Sequence, residues 1–432
     1  MLSAEENERL TRVGRGTPMG ELVRRFWLPF LQVSDIAEPD GPPVRVTLLG
    51  EQLVAFRDTA GRIGLIDRLC AHRCANLFFG RNEENGLRCT YHGWKYNVEG
   101  RCVDMPTEDA ASAFKDNIRL TAYPVREKAG ILWTYMGPKD QIPELPEFEW
   151  SRVPEAHRFV SWNYQQNNFV QAIDGGIDTV HSVFLHSTLD SHRKLDEWKD
   201  QGAREGNPRL VHRVRTNPPK LFAKDTDYGV IIGGKYKGIE GLDYWRYNLF
   251  LMPFYTMPPG GGVDKNRKLA HAFVPIDDEN TLRWVFTWNV EKPLSAREIA
   301  EMRGGGPVHV EFIPKTHYPL RNMSNDYLID RELQKSVSFT GIKGIGEQDF
   351  SVQEGMGRIA DRTREHLGSS DIGIVAMRRR LLKAAADLQE GRPPYAASDG
   401  NLYRLRGAEV MLPPDTKWDE DERTIAAMTA HW

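Results

Sequence analysis

Between positions 70 and 92 the chain offers two thiolates and two imidazoles on two short loops, Cys70-x-His72 and Cys89-x-x-His92. A fold that uses all four must bring both loops around one metal group. A closed structural zinc site is one way to do so. Zinc modules usually open with two cysteines on one knuckle, so that both sulfurs grip the same ion. Here each loop mixes one sulfur with one nitrogen, which suits two irons of unequal ligation, cysteines on one and histidines on the other. A cluster of that kind passes single electrons, at a potential above that of an all-cysteine cluster.

The wider text of the loops, Cys70-Ala71-His72-Arg73 and Cys89-Thr90-Tyr91-His92-Gly93-Trp94, resembles the two cluster-binding loops of Rieske-type ring-hydroxylating oxygenases. The resemblance implies a Rieske [2Fe-2S] cluster held by Cys70, His72, Cys89 and His92. Respiratory Rieske proteins add a disulfide between the loops, but the second loop here has no extra cysteine, so Cys74 has no partner inside the motif. Cys74 and Cys102 are expected to be small buried apolar residues. Four cysteines in 432 residues, two of them in the motif, point to a reducing compartment, and a cytoplasmic protein is the expectation.

Length favours two domains, because single hydrophobic cores stop growing well below 432 residues. The 57 basic and 60 acidic residues leave a net charge of −3 with no basic stripe, so nucleic acid is not indicated as a partner. No run reaches the roughly 20 apolar residues of a membrane span, and the acidic start is unlike a signal or transit peptide. Short strands are predicted over 44–49, 53–56 and 63–66, and a strand pair over 120–125 and 130–136. Pro138, Pro143 and Pro146 mark a stiff linker. Beyond it, 169–185 has helical spacing, and strand-like runs at 229–232, 247–251, 269–274 and 283–288 suggest a second antiparallel sheet. Helices are predicted over 349–367 and 371–388, with Arg378-Arg379-Arg380 as a solvated face. The fold class is therefore α+β. An N-terminal antiparallel-β domain, with a helical segment at its start, covers 1–140. A larger domain, an antiparallel sheet covered by helices, covers 141–432.

An electron-transfer domain fused to a larger partner needs an electron sink, and Asp178-x-x-His181-x4-His186 supplies two imidazoles for one. Two histidines and a carboxylate form the facial triad of non-haem Fe(II) oxygenases, with positions left for oxygen and substrate. On an ideal helix an i,i+5 pair lies about 140° apart, so a distorted turn or a helix end is expected, with the Gly175-Gly176 pair consistent with such strain. The order of Rieske loops, proline-rich linker and Asp-x2-His-x4-His is similar to the α subunit of Rieske oxygenases over essentially the whole chain. In that family the aspartate at the place of Asp178 is not a ligand. The resemblance makes Asp178 an electron bridge between His181 and the cluster of a neighbouring subunit. It also implies a later carboxylate ligand, and Glu347-Gln348-Asp349-Phe350-Ser351-Val352-Gln353-Glu354 is similar to the family's pattern. Asp349 is the choice, with Asp326, Asp330 and Asp361 as competitors better read as caps or surface charges.

Stretches such as Asp361-Arg362-Thr363-Arg364-Glu365-His366-Leu367 and Asn7-Glu8-Arg9-Leu10-Thr11-Arg12-Val13-Gly14 resemble the phthalate-dioxygenase branch, which acts on aromatic acids. An aromatic carboxylate needs a planar apolar slot and a cation, for which Arg246 and Arg209 are the candidates. Val180, before His181, offers no hydrogen bond to a second carboxylate, which favours a monocarboxylate. The expected activity is cis-dihydroxylation of an aromatic carboxylate with O2. Electrons would come from a separate flavin/iron–sulfur NADH-dependent reductase, since the chain has no dinucleotide fingerprint. The resemblance implies a homotrimer or stacked hexamer, a mononuclear Fe(II) at His181, His186 and Asp349, and a Rieske cluster at the front. An O-demethylase or monooxygenase of the same architecture, and a non-catalytic Rieske electron carrier, are the rivals.

Overall fold

A computed structural model of the chain describes residues 2–109, 113–189, 218–238, 241–260 and 266–432. It divides into two compact units, one of residues 13–145 and one of residues 1–12 with 146–432. The starting helix α1 (Ala4–Thr11), expected with the front domain, thus belongs to the larger unit. Its Leu10 is fully buried, and Asn7 exchanges hydrogen bonds with the Ala360 carbonyl and the Arg362 guanidinium.

The smaller unit is built from three antiparallel sheets. Strands β1 (Trp27–Gln32), β2 (Val44–Leu48), β3 (Glu51–Arg57) and β4 (Ile63–Asp67) are followed by the short β5 (Arg81–Glu83), β6 (Gly86–Arg88), β7 (Lys95–Tyr96) and β8 (Cys102–Asp104). β9 (Val125–Lys128) and β10 (Ile131–Tyr135) complete the unit. The pair expected over 120–136 begins at Val125, just after Pro124, whose ring removes a ladder donor. Leu69–Ala75 leaves β4 as one loop, and residues 89–94 join β6 to β7 as the other. Both meet in a core of Val54, Phe56, Ile66, Leu77, Leu87 and Tyr96 that also buries Cys70 and Cys89.

In the larger unit β11 (Arg158–Gln165), β12 (Lys220–Asp225), β13 (Gly229–Lys237), β14 (Asp243–Leu251), β15 (Tyr255–Met257), β16 (Arg267–Pro275), β17 (Thr281–Asn289) and β18 (Ala408–Leu412) form an eight-stranded antiparallel sheet among the described residues. β17 is buried at every position because both of its faces are covered. Trp284 and Phe286 stack with one another, and Trp150 lies over Phe286. Register puts Asn248, Thr256, Phe273 and Arg283 on the opposite face. Helix α2 (Phe169–Ile177) rests there, with its Ile177 carbonyl accepting the Asn248 side-chain N–H at 3.0 Å. Helix α3 (Ile345–Gln353) packs against α2, and α4 (Ile372–Gln389) lies on the same face against β12 and β13. The chain is therefore α+β, with helices on one side of an antiparallel sheet. No helix among the described residues is long and apolar enough to cross a membrane.

Two helical expectations need correction. The helix predicted over 349–367 starts at Ile345 and gives way to a single tight turn ended by Gly357 at φ +92°. The arginine triplet is not uniformly solvated. Arg378 is buried and clamps Asp174 at 2.6 Å and Glu365 at 2.6 Å.

Candidate metal centres

The two cluster loops share one backbone design. In the first, the N–H of Cys70 donates to the Ala75 carbonyl at 2.9 Å and that of Cys74 to the Cys70 carbonyl at 2.9 Å. In the second, Cys89 donates to the Trp94 carbonyl at 2.8 Å and Gly93 to the Cys89 carbonyl at 3.0 Å. Cys74 thus holds the place that Gly93 holds opposite, and both have positive φ, 55° and 77°. This overturns the reading of Cys74 as a buried apolar residue: the turn points its side chain into solvent, whereas Cys102 is buried and unpaired as expected.

The donors fit a mixed cluster. The sulfurs of Cys70 and Cys89 are buried, and the rings of His72 and His92 lie 4.4 Å apart. His72 stacks on Trp94 at 4.5 Å, and its Nδ1 is buried without a hydrogen-bond partner, a cost that a metal bond at the ring removes. Tyr96, which the sequence reading gave no role, sets its hydroxyl 3.2 Å from Cys70 Sγ and 3.2 Å from the Ala71 N–H it accepts.

In the larger unit the helical pattern over 169–185 breaks at Ile177. Asp178 caps α2 in extended conformation, and a one-turn helix at His181–Val183 follows, so the two imidazoles are swung together by a helix end. The glycine pair is not the break. Gly176 lies inside α2, where an added Cβ would sit 2.8 Å from Phe273 Cε2 and 2.8 Å from Thr256 Oγ1, so it permits close packing on the sheet. His181 Nε2 and His186 Nε2 are 3.0 Å apart, with Asp349 Oδ1 3.6 Å from the first and 3.3 Å from the second. Among the described residues these three form the one group of three or more His, Cys, Asp and Glu side chains whose ligand atoms all lie within 4.8 Å of one another, as a single ion requires. The triangle accommodates one ion at bond lengths of about 2 Å.

Each imidazole is held from behind. Asp178 Oδ2 lies 3.5 Å from His181 Nδ1, while its Oδ1 accepts the Val180 N–H at 2.7 Å. His186 Nδ1 is 2.7 Å from Gln348 Oε1, and the Gln348 amide N–H donates to the Ile342 carbonyl at 2.8 Å, which fixes which end of the amide is oxygen. Nδ1 therefore carries the proton on His186 and Nε2 presents its lone pair to the triangle. Gln348 went unnoticed as a site residue; its only signal was adjacency to Asp349. Burial alone would raise the Asp349 carboxyl, but His186, His181 and Arg283 hold it below the usual range. Of the competitors, Asp330 and Asp361 cap short helices and Asp326 lies in a left-handed turn.

Arg246 stands on β14 as expected, but its Nη1 donates to Glu409 Oε1 at 2.7 Å on the adjoining β18. Its charge is already matched. Arg209 lies outside the described residues.

Donors that fit a mixed-ligand cluster in one unit, and a His, His, Asp triangle beside a helix-covered sheet in the other, are the ligand sets of an iron-dependent oxidoreductase. Residues 26–124 match the Rieske [2Fe-2S] domain family, and residues 134–430 match the family described as LigXa C-terminal domain like. The chain is similar to the 3-chlorobenzoate-3,4-dioxygenase oxygenase subunit of Comamonas testosteroni, at 38% identity over 97% of both chains. It is also similar to the phthalate 4,5-dioxygenase oxygenase subunit of Pseudomonas putida, at 35% identity over 99% of this chain and 97% of that one. A third relative, the 5,5'-dehydrodivanillate O-demethylase oxygenase subunit of a Sphingobium species, is 33% identical over 92% of this chain and 83% of its own. The chain belongs to the Rieske non-haem iron oxygenases, as an oxygenase subunit of the phthalate-dioxygenase branch. It is an oxidoreductase whose cofactors are a Rieske [2Fe-2S] cluster and a mononuclear iron.

Proposed function

We propose that this chain is the terminal oxygenase of a ring-hydroxylating dioxygenase that adds both atoms of O2 to an aromatic carboxylate. One arene carboxylate, one O2, two electrons and two protons give one cis-dihydrodiol. A separate NADH-dependent reductase supplies the electrons. The observation that carries the reading is the meeting of His181, His186 and Asp349 from distant segments, in a chain whose relatives include a chlorobenzoate and a phthalate dioxygenase subunit.

In this reading Cys70 and Cys89 hold one iron of the cluster and His72 and His92 the other, while His181, His186 and Asp349 hold the mononuclear iron. When bound, the two groups supply single-electron transfer and the activation of oxygen. The rest falls to the protein. Gln348 and Asp178 keep the imidazoles in the tautomer that leaves both Nε2 atoms as donors. Asp178 is the link through which electrons arrive from a neighbouring copy, in a trimer or stacked hexamer. Val180 offers an apolar wall, which favours one carboxylate on the ring rather than two. The similarity to an O-demethylase subunit supports a second reading, oxidative removal of a methyl group from an aromatic acid.

Incubation of iron-loaded protein with a compatible reductase, NADH and a panel of benzoates, phthalates and methoxybenzoates tests both. A cis-diol supports the first reading; formaldehyde with a phenol replaces it with the second; no turnover of any aromatic acid removes both. Iron content separates either from a pure electron carrier, at about three irons per chain against about two.

A further inference from the structure

The larger unit holds a cavity of about 200 Å³ to which His181, His186 and Asp349 contribute nothing. It lies between the end of β11, the segment 313–324 and α3. Ile313 and Tyr318 at its mouth are 38% and 46% exposed, whereas Phe350 and Glu354 at its floor are 1% and 4% exposed. Its walls suit a flat ring. Tyr318 stacks on Tyr164 with ring centroids 4.6 Å apart, and Phe350 and the buried Pro319 add apolar surface. An apolar cavity of about 150 Å³ is enough to hold benzene. The space therefore admits one substituted ring.

The polar groups of the cavity narrow the choice of ring. Asn322 and Ser324 are spent locally: Asn322 Oδ1 accepts the Ser324 hydroxyl at 2.6 Å, and its amide N–H donates to the Pro319 carbonyl at 2.9 Å. Glu354 accepts the Gln166 backbone N–H at 2.8 Å on one oxygen and the Tyr327 hydroxyl on the other. A carboxylate has about four acceptor positions, so two remain. The Gln166 side-chain oxygen accepts Arg358 Nη2 at 3.0 Å, which leaves the Gln166 amide N–H groups without a hydrogen bond among the described residues. Burial raises the Glu354 carboxyl and the charge of Arg358 acts against that, so the acid already has a cation near it and calls for no charged ligand. A free acceptor and a free donor thus meet in one cavity. A hydroxyl answers both, whereas an ammonium only donates and a carboxylate only accepts and brings its charge against Glu354.

We propose that this cavity is a binding site, separate from the His, His, Asp triangle, for a neutral aromatic ring that carries a hydroxyl. The ring lies against Tyr164, Tyr318 and Phe350, and the hydroxyl donates to Glu354 and accepts from Gln166. The inference goes beyond the reading of the substrate as an aromatic acid and does not depend on it, because a carboxylate is the group that this cavity excludes.

Calorimetric titration of the iron-loaded protein with phenol, and with toluene, which has the same shape and no hydrogen bond to make, tests the site. Phenol should bind saturably and about fivefold or more tightly than toluene, in the presence of benzoate as in its absence. Gln166→Leu, which removes the free donor, should erase that preference. Tyr318→Ala, at an exposed rim position that the fold can spare, should weaken both rings by about tenfold with the iron content unchanged, and it gives the reading if the leucine variant does not fold. Absence of saturable phenol binding overturns the inference, as does equal affinity for phenol and toluene. So does displacement of phenol by benzoate, or phenol affinity that survives Tyr318→Ala, either of which puts the ring elsewhere. Benzylammonium that binds more tightly than phenol overturns it as well, by making the site one for cations.

Discussion

At the scale of single residues, the two imidazoles of the His, His, Asp triangle are backed unequally, His181 by the carboxylate of Asp178 at 3.5 Å and His186 by the neutral amide of Gln348 at 2.7 Å. Loss of a group that orients a metal-bound histidine typically costs about 10- to 100-fold in metal affinity. Gln348→Ala is therefore expected to weaken Fe(II) or Co(II) binding by that order with the visible spectrum of the cluster unchanged, measured by competition against a chelator. Glu354, at the foot of α3, gives a pH-dependent case. Its carboxylate accepts the Gln166 N–H at 2.8 Å and the hydroxyl of Tyr327, but burial prevails and holds its pKa above the usual glutamate range. The folded chain thus binds this proton more tightly than the unfolded one. Its contribution favours the fold at low pH and declines as pH rises past the ordinary glutamate value. Glu354→Gln cannot titrate, so urea midpoints from pH 4 to 8 should show the variant gaining on the wild type as pH rises. A constant difference would contradict the assignment.

At the scale of elements, the site depends on how closely α2 can approach the sheet, since His181 follows directly from its end. Gly176→Ala places a methyl against Phe273 and Thr256, and overpacking of this kind costs roughly 1–3 kcal/mol. A lower melting temperature together with weaker iron binding is expected, because the displaced helix end carries the imidazole with it. Calorimetry and metal titration read the two effects separately. Legibility also varied by element. Strands β2 to β4 and the span of α4 could be read from alternation, turn residues and period, because local pattern and burial agree there. The extent of α3 could not, since its Gly344 start has no side-chain cap and its end is set by Gly357 rather than by a change in hydrophobic period. Arg378 was misread for a related reason: a run of three arginines gives no sign that Asp174 and Glu365 wait on other elements to bury one of them.

At the scale of the whole molecule, the two candidate donor sets were legible because each is written mainly in one short stretch whose donor types are rare. What the sequence could not convey was long-range pairing. Glu409 neutralises Arg246 from a strand near the other end of the chain, which does not follow from local spacing. The first twelve residues are another case. Helix α1 touches α4 and the turn at Arg362–Arg364, Arg12 reaches Asp278 at 3.2 Å, and Asn168 donates to the Thr11 carbonyl at 2.9 Å. Deletion of residues 2–12 removes the buried Leu10, worth about 1.5–3 kcal/mol on its own, so the larger unit should melt earlier and retain less mononuclear iron. The visible absorbance of the cluster serves as the internal reference.

That same helix bears on the order in which the protein matures. During synthesis residues 4–11 emerge before everything they pack on, and part of their seat is made by residues translated some 350 positions later. The unit that buries them is thus closed across the whole of the cluster unit, which lies between its two parts in the chain.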